Sequence, residues 1–235
     1  MKTSDEIVFF FDCDNTLLDN DRVQDDLRTH LGRAFGAAKQ ERYWEIFESL
    51  RNELGYADYL GALQRYRLDT TSDPRLLQMS AFLLDYPFAD RLYPGALDVI
   101  KHLGRWGPTV VLSDGDVVFQ PRKIQRSGLW QAVDGHVLIY VHKEKRLADV
   151  EHRYPARHYV MIDDKLRILA AMKKVMGARL TTVFPRQGHY ALDPVNIASY
   201  PAADLTLEHI GDLIHCDLPG LVNAARAGQP ETRPT

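Results

Sequence analysis

Cysteine is scarce in this chain, and its two copies, Cys13 and Cys216, have neither metal-knot spacing nor the numbers for a disulfide framework. Long apolar runs are missing as well. None approaches the roughly 20 residues that cross a bilayer, and the opening MKTSDEIVFF has acids where a secretory leader needs a basic and then an apolar stretch. These absences predict a cytoplasmic chain with no membrane partner. Basic residues are scattered rather than gathered into a stripe, and a formal net charge of -3 offers nucleic acid no general attraction. An anionic ligand must therefore be drawn in locally. Internal repeats and low-complexity tracts are absent, and nothing specifies an oligomeric state.

What is present is ample core material, 45% hydrophobic over 235 residues, enough for one domain carrying an insert. Short apolar runs recur at 7–11 (IVFFF), 109–112 (TVVL), 137–141 (VLIYV), 158–162 (HYVMI) and 180–184 (LTTVF). They are continuous rather than alternating, as in parallel strands covered on both faces, and the later gaps hold helices of crossover length. One such helix is expected over 165–176, with Leu166, Leu169, Ala170, Met172 and Val175 on its apolar side and Gly177 as its stop. The pattern predicts an α/β fold, a doubly wound parallel sheet of five main strands in the Rossmann manner.

Nearly a hundred residues separate the first two runs, too many for a crossover. Residues 21–88 read as an inserted helical cap, whose aromatic stripes (Tyr43, Trp44 and Phe47; Tyr59 and Tyr66) are its own core, with a break at Leu54-Gly55-Tyr56. The α/β core then comprises 1–20 and 89–224, with hinges near 18–20 and 88–93. A short segment at 205–214 and a flexible tail at 225–235 complete the chain.

The first run ends in FFFDCDNT. Residues two apart in a strand face the same side, so Asp12 and Asp14 converge just beyond the carboxyl edge of the sheet, where ligands bind in this architecture. A second pair, Asp163-Asp164, ends the fourth run and reaches the same edge if the two strands are neighbours. Four crowded acids call for a cation, and an all-oxygen set suits a hard ion, Mg²⁺. The second run ends in Ser113-Asp114-Gly115-Asp116. There the Ser113 hydroxyl and the backbone N–H groups of Asp114 and Gly115 form a candidate phosphate site if the turn makes a nest. Positive charge comes from Lys143 or Lys145 beyond the third run; Lys143 is nearer the strand end. Cys13 lies between acids that disfavour a thiolate.

With these residues in place, the sequence resembles the haloacid dehalogenase superfamily, composed largely of phosphatases, over most of its length. The family's Asp-x-Asp-x-Thr motif is matched by Asp12, Asp14 and Thr16. Its Ser or Thr is matched by Ser113, its Lys by Lys143, and its acidic pair by Asp163 and Asp164 in the double-Asp form, since Arg167 stands four beyond Asp163. The resemblance implies that Asp12 is the nucleophile, Asp14 the general acid and base, and Thr16 a positioning residue. It also implies Mg²⁺ held by Asp12, the main chain of Asp14, Asp163 and Asp164, with Ser113 and Lys143 on the phosphoryl oxygens. The expected activity is Mg²⁺-dependent hydrolysis of a small phosphomonoester through an aspartyl-phosphate.

Alternatives are a phosphomutase of the same superfamily and a non-catalytic phosphate-binding module. Asp14 argues against the dehalogenase branch, which protonates no leaving group. A phosphonatase would need a cap lysine, and Lys39 is the only one; a receiver module would be about half this length. Substrate candidates on the cap are Arg51, Asn52 and Tyr56 with Glu53, and beyond the fifth run Arg186 and His189.

Overall fold

The computed structural model describes residues 5–69 and 73–218, together with 220 and 222; the tail expected at 225–235 lies outside them. In chain order the elements are β1 (Asp5–Phe11), α1 (Asn20–Phe35), α2 (Ala37–Leu54), α3 (Tyr59–Asp69), α4 (Arg75–Asp85), α5 (Ala96–Leu103), β2 (Thr109–Asp114), α6 (Phe119–Arg126), α7 (Leu129–Ala132), β3 (Val137–Tyr140), α8 (Leu147–Arg153), β4 (Ala156–Ile162), α9 (Leu166–Met176), β5 (Leu180–Pro185), α10 (Gly188–Leu192), α11 (Pro194–Ser199) and β6 (Leu205–Leu207). All strand pairs are parallel, in the order β3-β2-β1-β4-β5-β6. This is a Rossmann-like α/β sheet. No described helix is long and apolar enough to cross a membrane.

Alternation along β1 explains its unbroken apolarity: Phe9 and Phe11 join one buried cluster, Val8 and Phe10 the other. The sheet has six strands rather than five. β6 is only three residues long, below what an apolar run can signal, and its pairing of Leu205 with Val183 extends the edge. In α9, Leu166, Leu169 and Met172 are buried as expected, but Val175 is exposed and Ile168 and Met176 are buried instead. The face that packs on the sheet is rotated from the one the sequence pattern suggested.

Helices α1 to α4, and then α5, fill the stretch between β1 and β2. Tyr43, Trp44, Ile46, Phe47 and Leu50 of α2 are buried, and α2 stops at Gly55, whose left-handed φ of 80° lets its N–H reach Arg51 O. One apolar cluster runs from this helical unit into the sheet layer. At the seam Phe119 of α6 lies 5.1 Å from the Tyr59 ring and 5.8 Å from Phe88, centroid to centroid. Phe119→Ala is expected to cost about 3–5 kcal/mol, read as a lower urea midpoint with an unchanged slope.

Candidate active site

Register brings the site together. Phe11 pairs with both Val111 and Ile162, so β1, β2 and β4 end level and deliver Asp12, Ser113 and Asp163 to one edge. The chain leaving β1 turns sharply through Asn15 at φ 60°, and Asn15 Oδ1 accepts the Asn20 and Asp21 N–H groups that open α1. Against this turn Gly188 sits at φ 73°, and a Cβ there would fall 2.4 Å from Asn15 Cβ, so only glycine fits. Thr16 Oγ1 accepts the Asp164 N–H at 3.0 Å. It thus ties the first acidic loop to the second.

Lys143 is the centre of charge. Its Nζ lies 2.5 Å from Asp12 Oδ1, 2.7 Å from Asp163 Oδ2 and 3.0 Å from Leu112 O, and its backbone N–H donates to Asp114 Oδ1 at 2.7 Å. The left-handed His142, φ 61°, turns the chain so that Lys143 is buried while Lys145 is exposed. Between the two candidate lysines, the structure brings Lys143 to the acids. Burial would lower its pKa, but the carboxylates of Asp12, Asp163 and Asp114 hold it raised.

Ser113 is buried, and its Oγ accepts from Gln120 Nε2 at 3.0 Å. The expected phosphate nest does not form. The Gly115 N–H is spent on Tyr140 O at 3.0 Å. Neither Asp114 nor Gly115 takes the left-handed conformation a nest requires, because the strand ladder of β2 and β3 continues to this point. Cys13 is wholly buried, and burial and then Asp14 push its thiol well up, which excludes a thiolate there.

A cavity of about 320 Å³ opens over this edge, lined by Asp14, Asp114 and Lys165 below and by Arg51, Tyr56 and Tyr190 among the residues facing them. Asp12, Ser113, Lys143, Asp163 and Asp164 are buried and are not on its wall. Of the cap candidates, Arg51 and Tyr56 line the cavity; Asn52 does not. One residue along a helix turns the side chain by about 100°, so Asn52 cannot share the face of Arg51. Glu53 is exposed and pairs with Arg65. Beyond β5, His189 lines the cavity and binds Asp21 through its N–H and its ring, whereas Arg186 is exposed and paired with Glu208.

Three participants were not singled out in the sequence. Lys123 Nζ lies 2.7 Å from Asp14 Oδ1 and is buried; Gln120 bonds Asp14 Oδ2 at 3.1 Å; and Lys165, beside the acidic cluster, is held raised by Asp164, Asp12 and Asp163 against the effect of burial. Lys165 had a signal, a cation directly following an acidic pair at a strand end. Lys123 had none, because FQPRKIQR reads as a polar surface helix.

A family profile for haloacid dehalogenase-like hydrolases matches residues 8–175. The chain belongs to this family. It is therefore a hydrolase of the haloacid dehalogenase-like type, and an enzyme. A haloacid dehalogenase-like hydrolase from Burkholderia xenovorans is 71% identical over 91% of this chain and 99% of its own, with a TM-score of 0.87. A magnesium-bound hydrolase of the family from Bacillus subtilis is 15% identical, covering 90% of this chain and 98% of its own (TM-score 0.61). An L-2-haloacid dehalogenase is 16% identical, covering 91% and 99% (TM-score 0.63). The last two share the fold. No curated protein matches the chain.

Hydrolases of this family typically use a divalent metal, and the buried acids fit one. Oxygens of Asp12, Asp163 and Asp164 lie within 4.8 Å of one another. Asp12 Oδ2 and both Asp164 oxygens are buried without a hydrogen-bond partner. Burial pushes Asp12 up to about 6, despite Lys143, and Asp164 well above the usual carboxylate range. Carboxylates so poorly served by protein donors are what a hard cation satisfies.

Proposed function

We propose that this hydrolase is a Mg²⁺-dependent phosphatase acting on a small phosphomonoester through an aspartyl-phosphate on Asp12. The observation that carries the reading is Asp14. Two residues beyond the buried Asp12, it lines the cavity with each carboxylate oxygen held by a donor, Lys123 on Oδ1 and Gln120 on Oδ2. A halide needs no proton to depart; an alkoxide does. An acid placed beside the nucleophile therefore suits ester hydrolysis.

In the first step an Asp12 oxygen bonds phosphorus as the ester P–O bond breaks, and Asp14 gives its proton to the departing oxygen. Asp14 then takes a proton from water, whose oxygen attacks phosphorus and releases phosphate and Asp12. Lys143 and Ser113 bind the phosphoryl oxygens. Asp12, Asp163, Asp164 and the Asp14 main-chain carbonyl would hold Mg²⁺, which would offset phosphoryl charge. Asp12 is 4% exposed, so the helical cap moves to admit substrate; interdomain movement is reported for the Bacillus subtilis hydrolase.

Phosphate release from a panel of phosphomonoesters, p-nitrophenyl phosphate included, tests the reading. Turnover with Mg²⁺ that stops in EDTA supports it; folded protein that turns over no ester in Mg²⁺ refutes it.

Stability gives a second, activity-free test. The pKa of Asp12 is raised to about 6 from an ordinary 3.8. Its proton therefore stabilises the metal-free fold below 3.8, and that contribution is lost as pH rises through 6. Mg²⁺ should then add more stability at higher pH. At about 100 times its Kd it is expected to raise Tm by about 5–10 °C near pH 7 and by far less near pH 4. A pH-independent shift would refute binding by these carboxylates.

A further inference from the structure

Lys123 is a buried cation near the site to which the proposed reaction assigns no task. Its side chain is 1% exposed, an expensive place for an ammonium unless something is gained there. Nζ donates to Asp14 Oδ1 at 2.7 Å and to Asn20 Oδ1 at 2.9 Å, and it lies 5.3 Å from the Phe119 ring centroid. Burial would lower its pKa, but Asp14, together with Tyr59 and Cys13, holds it raised. Gln120, one turn earlier on the same face of α6, donates to Asp14 Oδ2 at 3.1 Å and to Ser113 Oγ at 3.0 Å. Both oxygens of Asp14 are thus held from one helix. Asn20 is the first residue of α1, and its Nδ2 approaches Tyr59 OH of α3 at 3.3 Å. The lysine therefore also joins the core to the cap.

We propose that Lys123 is the positioning residue for Asp14: it fixes where that carboxyl points, so that its proton reaches the departing ester oxygen. The assignment rests on the phosphatase reading above. A purely structural ion pair predicts something different. Removing one member of a buried pair costs stability, and a loss of folding would affect all substrates alike. Positioning of a proton donor affects them according to how much their leaving group needs the proton.

The test compares kcat/KM for phenyl phosphate and p-nitrophenyl phosphate, which are alike in shape but differ in how readily the phenolate departs. In Lys123→Met, phenyl phosphate is expected to lose about 10²-fold and p-nitrophenyl phosphate less than about fivefold. KM for both should stay within about threefold. If Lys123→Met does not fold, Lys123→Gln, which keeps a donor but loses reach and charge, is expected to lose about tenfold on the phenyl ester alone. Equal losses on both esters, no loss, or a native chain that turns over the nitrophenyl ester but not the phenyl ester would overturn the assignment while leaving the phosphatase reading intact. A native chain inactive on both esters with Mg²⁺ would overturn the phosphatase reading, and this inference with it.

Discussion

Asp12→Asn is expected to reduce phosphate release by at least about 10⁴-fold while leaving the protein folded. The amide keeps the shape of the carboxylate but lacks the charged oxygen that attacks phosphorus. Stability should move the other way from activity. Asp12 is buried, Oδ2 has no hydrogen-bond partner, and burial lifts its pKa to about 6. Removing that charge relieves a desolvation cost, so the metal-free variant should be at least as stable as the native chain near neutral pH. Its Tm should also respond less to Mg²⁺, because one anionic ligand is gone. Thermal unfolding in EDTA and in Mg²⁺, beside turnover, checks all three points. Retention of more than about a hundredth of native turnover would remove Asp12 from the nucleophile's role.

Lys143→Met is expected to damage both activity and stability. The ammonium lies between Asp12 and Asp163, at 2.5 and 2.7 Å, and its removal leaves two buried like charges facing one another. Stripping one partner from a buried pair costs about 3–5 kcal/mol. The pKa of Lys143 is raised above the ordinary 10.5, so its stabilising charge is fully present throughout the neutral range and is lost only as pH climbs through the raised value. The deficit should therefore be large near pH 7 in EDTA. It should shrink with Mg²⁺, and it should shrink in acid, where Asp12 takes up its proton. Turnover should fall by about 10²–10³-fold even with Mg²⁺, since a cation on the phosphoryl oxygens is lost. The parallel change Lys145→Met, at an exposed position, should alter neither quantity measurably.

The sequence by itself determined the parallel sheet, the helical insert and the set of acids. Continuous apolar runs with crossover-length gaps admit few other folds, and strand period places Asp12 with Asp14 without any knowledge of packing. Asp163-Asp164 was legible because it directly follows the fourth apolar run, and it reaches the same edge because β4 lies beside β1.

What only the tertiary structure decided depends on contacts between residues far apart in the chain. The choice of Lys143 over Lys145 turns on the left-handed His142. The failure of the Gly115 nest turns on Tyr140, across a strand pair. Val175 and Asn52 face solvent because helix rotation is set by what packs on the other side, which periodicity alone leaves free by a residue or so. β6 is too short to carry a signal of its own. Lys123 was the least visible of all. A lysine in a polar helix is read as surface, and its burial follows from an ion pair with Asp14, 109 residues away. Local patterns report which faces must be hidden. Which charges meet behind those faces is set by topology and register, and these emerge only when the strands are in place.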